Sequence, residues 1–255
     1  MGQVRLMGLY ASDHPDVPRM KGLHLFHFML SNCSQRVRFG LEEKGLDWTS
    51  HHLNLLEREH MTPDYVRINP KGVVPTLVHD GQVVIESNDI LGYLDERFPA
   101  PPLSPAGPEA RRGMQERIAA ASDVQGAIKV LSHELLFRPF RKMDETDVAY
   151  FREHHPDPTL ADFVRDYAEE GPGWQRRVET AQAEMAAALD ALDAALGESD
   201  WLSGEAFGLA DVSWVVNAHR LSQAQYPLDR WPRFAAWYAR VAARPAFDRA
   251  IASYR

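Results

Sequence analysis

Residues 31–34, Ser-Asn-Cys-Ser, bring together two hydroxyls and the one cysteine of the 255-residue chain. They lie between a short aromatic-rich run at 23–28 and a segment with helical spacing at 34–44. Hydroxyl and main-chain N–H donors at the start of a helix stabilise an anion such as a thiolate. The stretch is therefore a candidate thiolate site, and the simpler alternative is that Ser31 or Ser34 only caps the helix.

Two downstream pairs of residues have the chemistry to bind a peptide-like ligand. A cis bond in Val74-Pro75 would turn the Val74 main chain outward, where a ligand could pair with it as an added strand. The alternative is a trans proline that opens a strand. The carboxylate and hydroxyl of Glu86-Ser87, at a helix start, could take the amino and carboxyl groups of an amino acid, or could form a plain capping pair.

The surrounding pattern predicts the elements that position these residues. Strands are expected at 23–28, 48–53, 73–78 and 82–85, and helices at 34–44, 62–68 and 87–97. Asp80-Gly81 predicts a hairpin, Gly45 a helix end, and Ser87 an N-cap. The order predicts an α/β thioredoxin-like domain with a mixed four-stranded sheet.

Beyond a proline-rich linker at 100–107, the pattern is helical and predicts an all-α domain at 108–255, with a strong helix at 181–196. The thioredoxin-like domain would span 23–99. Residues 1–22 are expected to form a poorly ordered or surface-lying extension, and 137–173 an extended helix–helix excursion.

Composition limits the classes of partner. The formal net charge of −8, with no basic run, disfavours binding to nucleic acid or anionic lipid. No apolar segment approaches the length of a membrane span, and the first 22 residues lack a signal-peptide pattern, so the cytoplasm is the expected compartment. A lone cysteine excludes an intramolecular disulfide and a zinc site built on several thiolates. Adjacent histidines, as at 51–52 and 154–155, are poor ligand pairs, so no metal is expected.

Three ordered segments resemble the N-terminal domain of glutathione transferases: SNCSQRVR at 31–38, NPKGVVPTL at 69–77 and ESNDI at 86–90. WLSGE at 201–205, followed by LADV at 209–212, is similar to the loop and helix start of the family's all-helical domain. Asp211 would be its capping carboxylate. Gly208 stands where the family has Ser or Thr, which leaves the capping box incomplete. The resemblance covers roughly 23–254 and leaves the extension and 137–173 unexplained.

The resemblance implies a set of glutathione contacts. Val74, before a cis Pro75, would pair with the cysteinyl main chain, and the pair Glu86-Ser87 would hold the γ-glutamyl end. His60 and Lys71 are the candidates for the glycyl carboxylate. Ser31 would donate a hydrogen bond to the glutathione sulfur.

The first segment resembles that of the zeta class (maleylacetoacetate isomerases) and of tetrachlorohydroquinone reductive dehalogenases. In the dehalogenases, the residue matching Cys33 attacks the glutathionyl intermediate. The excursion resembles that of those dehalogenases, of bacterial β-etherases and of ganglioside-induced differentiation-associated proteins. Ser34 falls where the β-etherase serine would lie. Ser31 and Ser34 occupy the positions of the paired cysteines of glutaredoxin-like relatives, so dithiol redox chemistry is disfavoured.

These features predict an enzyme in which glutathione thiolate attacks a small hydrophobic, aromatic electrophile in the cleft between domains, a reaction of detoxification or aromatic degradation. Ser31, Cys33 and Ser34 are the candidate catalytic residues. Glutathione-dependent β-aryl ether cleavage or reductive dehalogenation is one alternative, with Cys33 required for dehalogenation or thioether cleavage, and a non-catalytic glutathione-transferase-like binding module is another. The family resemblance also implies a homodimer.

Overall fold

The computed structural model describes residues 8–140 and 142–254. Its N-terminal half is a mixed sheet flanked by helices. Within the described ranges the strands are β1 (Leu9–Tyr10), β2 (Leu23–His27), β3 (Thr49–His52), β4 (Thr76–His79) and β5 (Gln82–Ile85). Their order is β1-β5-β4-β2-β3, with only β2 and β3 parallel. The helices are α1 (Asn32–Glu43), α2 (Pro63–Ile68) and α3 (Ser87–Arg97), which confirms the thioredoxin-like arrangement.

The sheet has five described strands rather than the predicted four, because part of the N-terminal extension joins it. Leu9 pairs with Val84 at the β5 edge, and Val17, further along, is buried. A Cβ at Gly8 would lie 2.2 Å from the Ile85 carbonyl oxygen, so glycine permits this approach. The extension was predicted to be poorly ordered or to lie on the surface: most of residues 8–22 are exposed, but the added strand was not predicted. A two-residue strand is too short to show the alternation that identifies strands in a sequence.

The second half is helical. Its helices are α4 (Pro108–Asp123), α5 (Gln125–Leu131), α6 (Glu145–His154), α7 (Thr159–Glu169), α8 (Pro172–Ala195), α9 (Leu209–Gln223), α10 (Pro232–Ala242) and α11 (Pro245–Phe247), with π-helical turns at Ser132–Phe137 and Asp248–Ala252. α8 begins nine residues before the predicted start. α6 and α7 lie in the segment predicted as an extended excursion, but they pack against each other as a hairpin joined by residues 155–158. Arg58 ties α6 to the N-terminal half through an ion pair with Asp147 at 2.6 Å. None of the helices in the described ranges has the length and apolar character that crossing a membrane requires.

The predicted turns hold in detail. Gly45 ends α1 with φ of 62°, and Asp80 and Gly81 have φ of 49° and 86° between β4 and β5. Ser87, in contrast, is the first residue of α3 rather than its cap, because Glu86 occupies the cap position.

The incomplete capping box at α9 has a packing explanation. Asp211 accepts the Gly208 N–H at 2.9 Å, as in the family pattern. A Cβ at Gly208 would lie 2.3 Å from the Leu103 carbonyl oxygen, so no serine or threonine fits there. The Ser203 hydroxyl supplies the missing acceptor and takes the Ala210 N–H at 3.0 Å. The helix start is therefore capped from a neighbouring loop.

Two histidines, the buried His27 and the half-buried His219, predict a loss of stability in mild acid. Burial and the nearby Arg38 charge lower the pKa of His27 to about 3, and burial and Arg220 lower the pKa of His219 to about 4. Both folded-state pKa values lie below the unfolded value near 6.5, so this stability is present above pH 6.5 and is lost as the pH falls.

We expect each histidine to contribute about 2 kcal/mol to the fall in unfolding free energy between pH 7 and pH 5. Urea denaturation at both pH values measures it. His27→Asn and His219→Asn should each flatten the pH dependence, and slopes unchanged from wild type would contradict the assignment.

Candidate active site

Ser31 is the N-cap of α1. Its backbone is extended (φ −70°, ψ 122°), and its hydroxyl oxygen accepts the Ser34 N–H at 3.2 Å. Because the oxygen is the acceptor in this bond, the hydroxyl hydrogen remains available for donation to another group. The side chain is only half-buried. A donor at a helix N-terminus is thus presented at the start of α1.

Ser34 has a different environment. Its hydroxyl oxygen is fully buried and accepts the Phe28 N–H at 3.3 Å. The suggestion that Ser34 caps the helix was wrong, since α1 begins at Asn32 and Ser31 is the cap. The Ser34 hydroxyl instead fastens the end of β2 to the first turn of α1.

Cys33 is half-buried between two cationic side chains. The Arg36 Nη1 atom lies 3.8 Å from the Cys33 Sγ atom. Arg220, on α9, donates to the Leu30 carbonyl oxygen at 2.5 Å. Burial lowers the pKa of Arg220 to about 10, and its electrostatic interaction with the Cys33 side chain acts in the opposite direction. The surroundings of the thiol are electropositive.

The Val74–Pro75 peptide bond is cis, as predicted. Val74 is buried, and within the described part of the chain its main-chain N–H and C=O have no hydrogen-bond partner. Both groups are therefore free to pair with an extended ligand.

A buried network holds the main chain just before this bond. The Tyr65 hydroxyl donates to the Val73 carbonyl oxygen at 2.7 Å and contacts the Thr76 hydroxyl at 2.7 Å. The Asn69 amide nitrogen donates to the same two groups at 3.0 and 2.9 Å. Burial raises the pKa of Tyr65, so the phenol stays neutral and can donate. Tyr65 and Asn69 thus hold the main chain at Val73, before the cis bond, and the side chain of Thr76, after it.

Glu86 and Ser87 lie at the junction of β5 and α3. Glu86 has φ of 66° and ψ of 114°, a costly conformation for a residue with a Cβ, and such conformations cluster at ligand sites. Its carboxylate pairs with the Lys71 ammonium. Ser87 is 7% exposed, and its hydroxyl oxygen accepts from the Arg36 Nη1 atom at 2.7 Å.

The two candidates for the glycyl carboxylate lie close together in the fold. Lys71 is 56% exposed in its side chain, and its charge is matched by Glu86. His60 is buried beside Gly72, in the 3₁₀ turn Glu59–Met61. In the described ranges, no group of three or more His, Cys, Asp or Glu side chains is arranged to hold a metal ion.

Family models match both halves of the chain. The model of the glutathione S-transferase N-terminal domain matches residues 25–102, and that of the C-terminal domain matches residues 167–240. The chain belongs to the glutathione S-transferase family. It is an enzyme of the glutathione-transferase type, with a thioredoxin-like domain and a helical domain.

Relatives of this glutathione transferase carry several activities. The maleylacetoacetate isomerase of Pseudomonas aeruginosa is 30% identical over 89% of this chain and 95% of its own. The tetrachloro-p-hydroquinone reductive dehalogenase of Sphingobium chlorophenolicum is 26% identical over 91% and 96%. The crystal structure of the β-etherase LigF from Sphingobium sp. strain SYK-6 superposes with a TM-score of 0.80, at 25% identity, over 89% and 98%.

Several residues that shape this transferase's site were not predicted. Arg36 lies inside the SNCSQRVR segment. The available sequence signal was a basic residue within a helix that has an apolar face. Asn217 and Arg220 come from α9, and no local pattern links them to Cys33. Tyr65 and Asn69 form the network before the cis bond, which depends on contacts that only the folded chain makes.

Proposed function

We propose that this glutathione transferase binds glutathione along Val74 and the pair Glu86-Ser87, and that the Ser31 hydroxyl holds the thiol as a thiolate. The main support is the Ser31 hydroxyl, whose oxygen accepts the Ser34 N–H and whose hydrogen is free to donate. The thiolate then attacks a small hydrophobic, aromatic electrophile.

The attack forms one bond to the glutathione sulfur and breaks the bond to the leaving group. The glutathione thiol loses its proton to solvent, and the thiolate is held by the Ser31 O–H and the N-terminal N–H groups of α1. Sulfur then forms a bond to the electrophilic carbon, and the leaving group departs with the electron pair of the bond that breaks. A preformed donor needs no reorganisation during the step, which is the usual source of such catalysis.

The remaining contacts follow the peptide nature of glutathione. The Val74 N–H and C=O would pair with its cysteinyl main chain. Glu86 would take the γ-glutamyl amino group, and the Ser87 hydroxyl would donate to the γ-glutamyl carboxylate. Lys71 or His60 would contact the glycyl carboxylate, and Lys71 would exchange its Glu86 partner to do so.

The electrophile would lie in the cleft between the domains, beside Leu30 and the π-helical turn Ser132–Phe137. Leu30 is 49% exposed next to the candidate thiolate site. The Arg220 guanidinium lies 5.2 Å from the centroid of the Phe137 ring. An exposed aliphatic residue and an aromatic ring fit an aromatic substrate.

We further propose that the protein is a homodimer in the cytoplasm. Analytical ultracentrifugation at the concentration used in the activity assays tests the dimer.

A glutathione-dependent activity panel tests the proposed reaction. The substrates are generic aryl halides, aryl ethers, halogenated quinones and maleyl acids, each measured with and without glutathione. We expect turnover of an aromatic substrate that requires glutathione. Binding of glutathione without turnover of any substrate would support a non-catalytic module and overturn the proposal.

Cys33 supports a second candidate, the cleavage of a glutathionyl-aromatic intermediate. Its Sγ atom lies 3.8 Å from the Arg36 Nη1 atom, in surroundings that also include the Arg220 guanidinium. The Cys33 thiolate would attack the glutathione sulfur, and the aromatic carbon would leave with the electron pair and take a proton. A second glutathione thiolate would then release Cys33 from the mixed disulfide and form glutathione disulfide.

Cys33→Ser separates the two candidates. If Cys33 resolves the intermediate, the variant should accumulate the glutathionyl-aromatic conjugate and release no glutathione disulfide, and mass spectrometry detects the conjugate. If glutathione conjugation is the whole reaction, kcat should change by less than about threefold. Steady release of glutathione disulfide by the variant would exclude the second candidate.

A further inference from the structure

Arg36 is a buried cation in the centre of the molecule. Its side chain is 2% exposed. It donates to the Ser213 carbonyl oxygen at 3.1 Å, to the Ser87 hydroxyl oxygen at 2.7 Å and to the Asn217 side-chain oxygen at 3.4 Å, and its Nη1 atom also lies 3.8 Å from the Cys33 thiol sulfur. These acceptors are all neutral, and in the described ranges no carboxylate forms an ion pair with Arg36. Burial lowers the pKa of this group, since its charge is only partly compensated.

The bond between Arg36 and Ser87 fixes the direction of a hydroxyl. Because the Ser87 oxygen accepts from a guanidinium, the Ser87 hydrogen must be donated elsewhere. The site for that donation is the junction of β5 and α3, where Glu86 is exposed. A hydroxyl that accepts from a cation is a better donor to an anion, because the positive charge polarises it.

We propose that Arg36 is a positioning residue for glutathione: it orients and polarises the Ser87 hydroxyl toward the γ-glutamyl carboxylate, and α9 holds it in place. This inference rests on the proposed function, since it requires glutathione at Glu86-Ser87. It adds that the helical domain, through Ser213 and Asn217, takes part in recognition of one end of glutathione. The carboxylate of the ligand supplies the negative charge that Arg36 lacks.

A ligand pair tests this role directly. 4-Aminobutanoyl-cysteinylglycine keeps the amino group of glutathione and lacks the carboxylate, and glutaryl-cysteinylglycine keeps the carboxylate and lacks the amino group. Calorimetry on the full chain measures the affinity of each ligand and of glutathione. For Arg36→Met we expect affinity for glutathione and for the glutaryl ligand to fall about 10- to 100-fold, the range for one charge-assisted hydrogen bond. Affinity for the aminobutanoyl ligand should change less than about threefold.

Arg38→Met is the matched control. Arg38 lies two residues further along α1, is fully buried, and donates to the carbonyl oxygens of Ala250, Phe28 and Met29. Its loss removes a buried guanidinium from the same helix without touching Ser87. The variant should affect the three ligands in the same proportion.

Asn217→Asp places a negative charge beside the Arg36 guanidinium with almost no change in side-chain shape. The Asn217 nitrogen has no hydrogen-bond partner in the described ranges, so a carboxylate fits in its place. The new charge would pair with Arg36, and affinity should again fall selectively for the ligands that carry the carboxylate. This variant decides the matter if Arg36→Met fails to fold.

Equal losses for all three ligands in both Arg36→Met and Asn217→Asp would show a merely structural role and overturn the proposal. Wild-type protein that does not bind glutathione would overturn the proposed function together with this inference. Wild-type binding combined with equal losses would overturn the Arg36 role alone.

Discussion

Ser31→Ala should lower kcat/KM for the glutathione-dependent reaction by about 10²- to 10³-fold, the effect of removing one preorganised donor from a developing or resident anion. The reactive species is the thiolate, so the rate should rise with pH and level off above the pKa of the bound thiol. Without the Ser31 hydroxyl, that pKa should move up toward the free value near 8.5, and the rising limb should move with it. A pH profile of kcat/KM measures both effects.

Two variants of the same turn serve as controls. Ser31→Thr keeps the hydroxyl and should keep the wild-type pH profile. Ser34→Ala removes a buried hydroxyl that accepts the Phe28 N–H, so it should cost about 1 kcal/mol of stability and leave the profile in place. If Ser34→Ala shifted the pH profile as Ser31→Ala does, the assignment of Ser31 as the donor would be contradicted.

Asp211→Ala should lower the free energy of unfolding by about 3–5 kcal/mol, because several buried N–H donors lose their acceptor. The Asp211 carboxylate is fully buried and accepts four hydrogen bonds. The donors are the main-chain N–H groups of Leu202, Ser203 and Gly208 and the Trp237 indole, at distances of 2.8, 3.2, 2.9 and 2.7 Å. Alanine would leave all four donors buried without an acceptor, and each costs about 1–3 kcal/mol before relaxation.

Urea denaturation monitored by tryptophan fluorescence measures this loss. The matched control is Asp190→Ala, because exposed Asp190 accepts a single indole N–H, that of Trp231, at 2.7 Å. Its loss should cost less than about 1 kcal/mol, since water can reach the site. Similar losses in the two variants would show that the Asp211 network is not the origin of the effect.

The sequence predicted those parts of the fold whose signals are local. Gly45, Asp80-Gly81 and Pro75 are residues whose backbone preferences are strong, and each lies in the turn it predicted. The strand β1 was missed because its stability comes from pairing with β5 and not from its own residues. Leu9 pairs with Val84, which lies 75 positions further along the chain.

In the candidate site, too, the residues marked by local motifs were predicted, and those whose role depends on distant contacts were not. Ser31, Cys33, Val74 and Ser87 stood out because ordered motifs marked them. Arg36, although within a motif, acquired its role only from Ser213 and Asn217, which lie 177 and 181 positions away. Such contacts depend on how two domains pack, and no pattern in either segment contains that information.

The N-cap of α9 departs from the family pattern at Gly208, and the structure explains this difference. Gly208 in place of Ser or Thr indicated a weaker helix start. Close approach of the Leu103 main chain requires the glycine, and Ser203 supplies the acceptor from outside the helix. The cap is complete, and its parts come from different positions than the motif expects.

The ionisation of bound glutathione tests the central claim most directly. The ultraviolet absorbance of the thiolate, measured as a difference spectrum between bound and free glutathione across pH 5 to 9, gives the pKa of the bound thiol. Wild-type protein should show thiolate formation with a midpoint at least about one unit below the free value near 8.5, and Ser31→Ala should return the midpoint toward it. A wild-type midpoint equal to that of free glutathione, or one that Ser31→Ala leaves unchanged, would contradict the assignment of Ser31 as the donor.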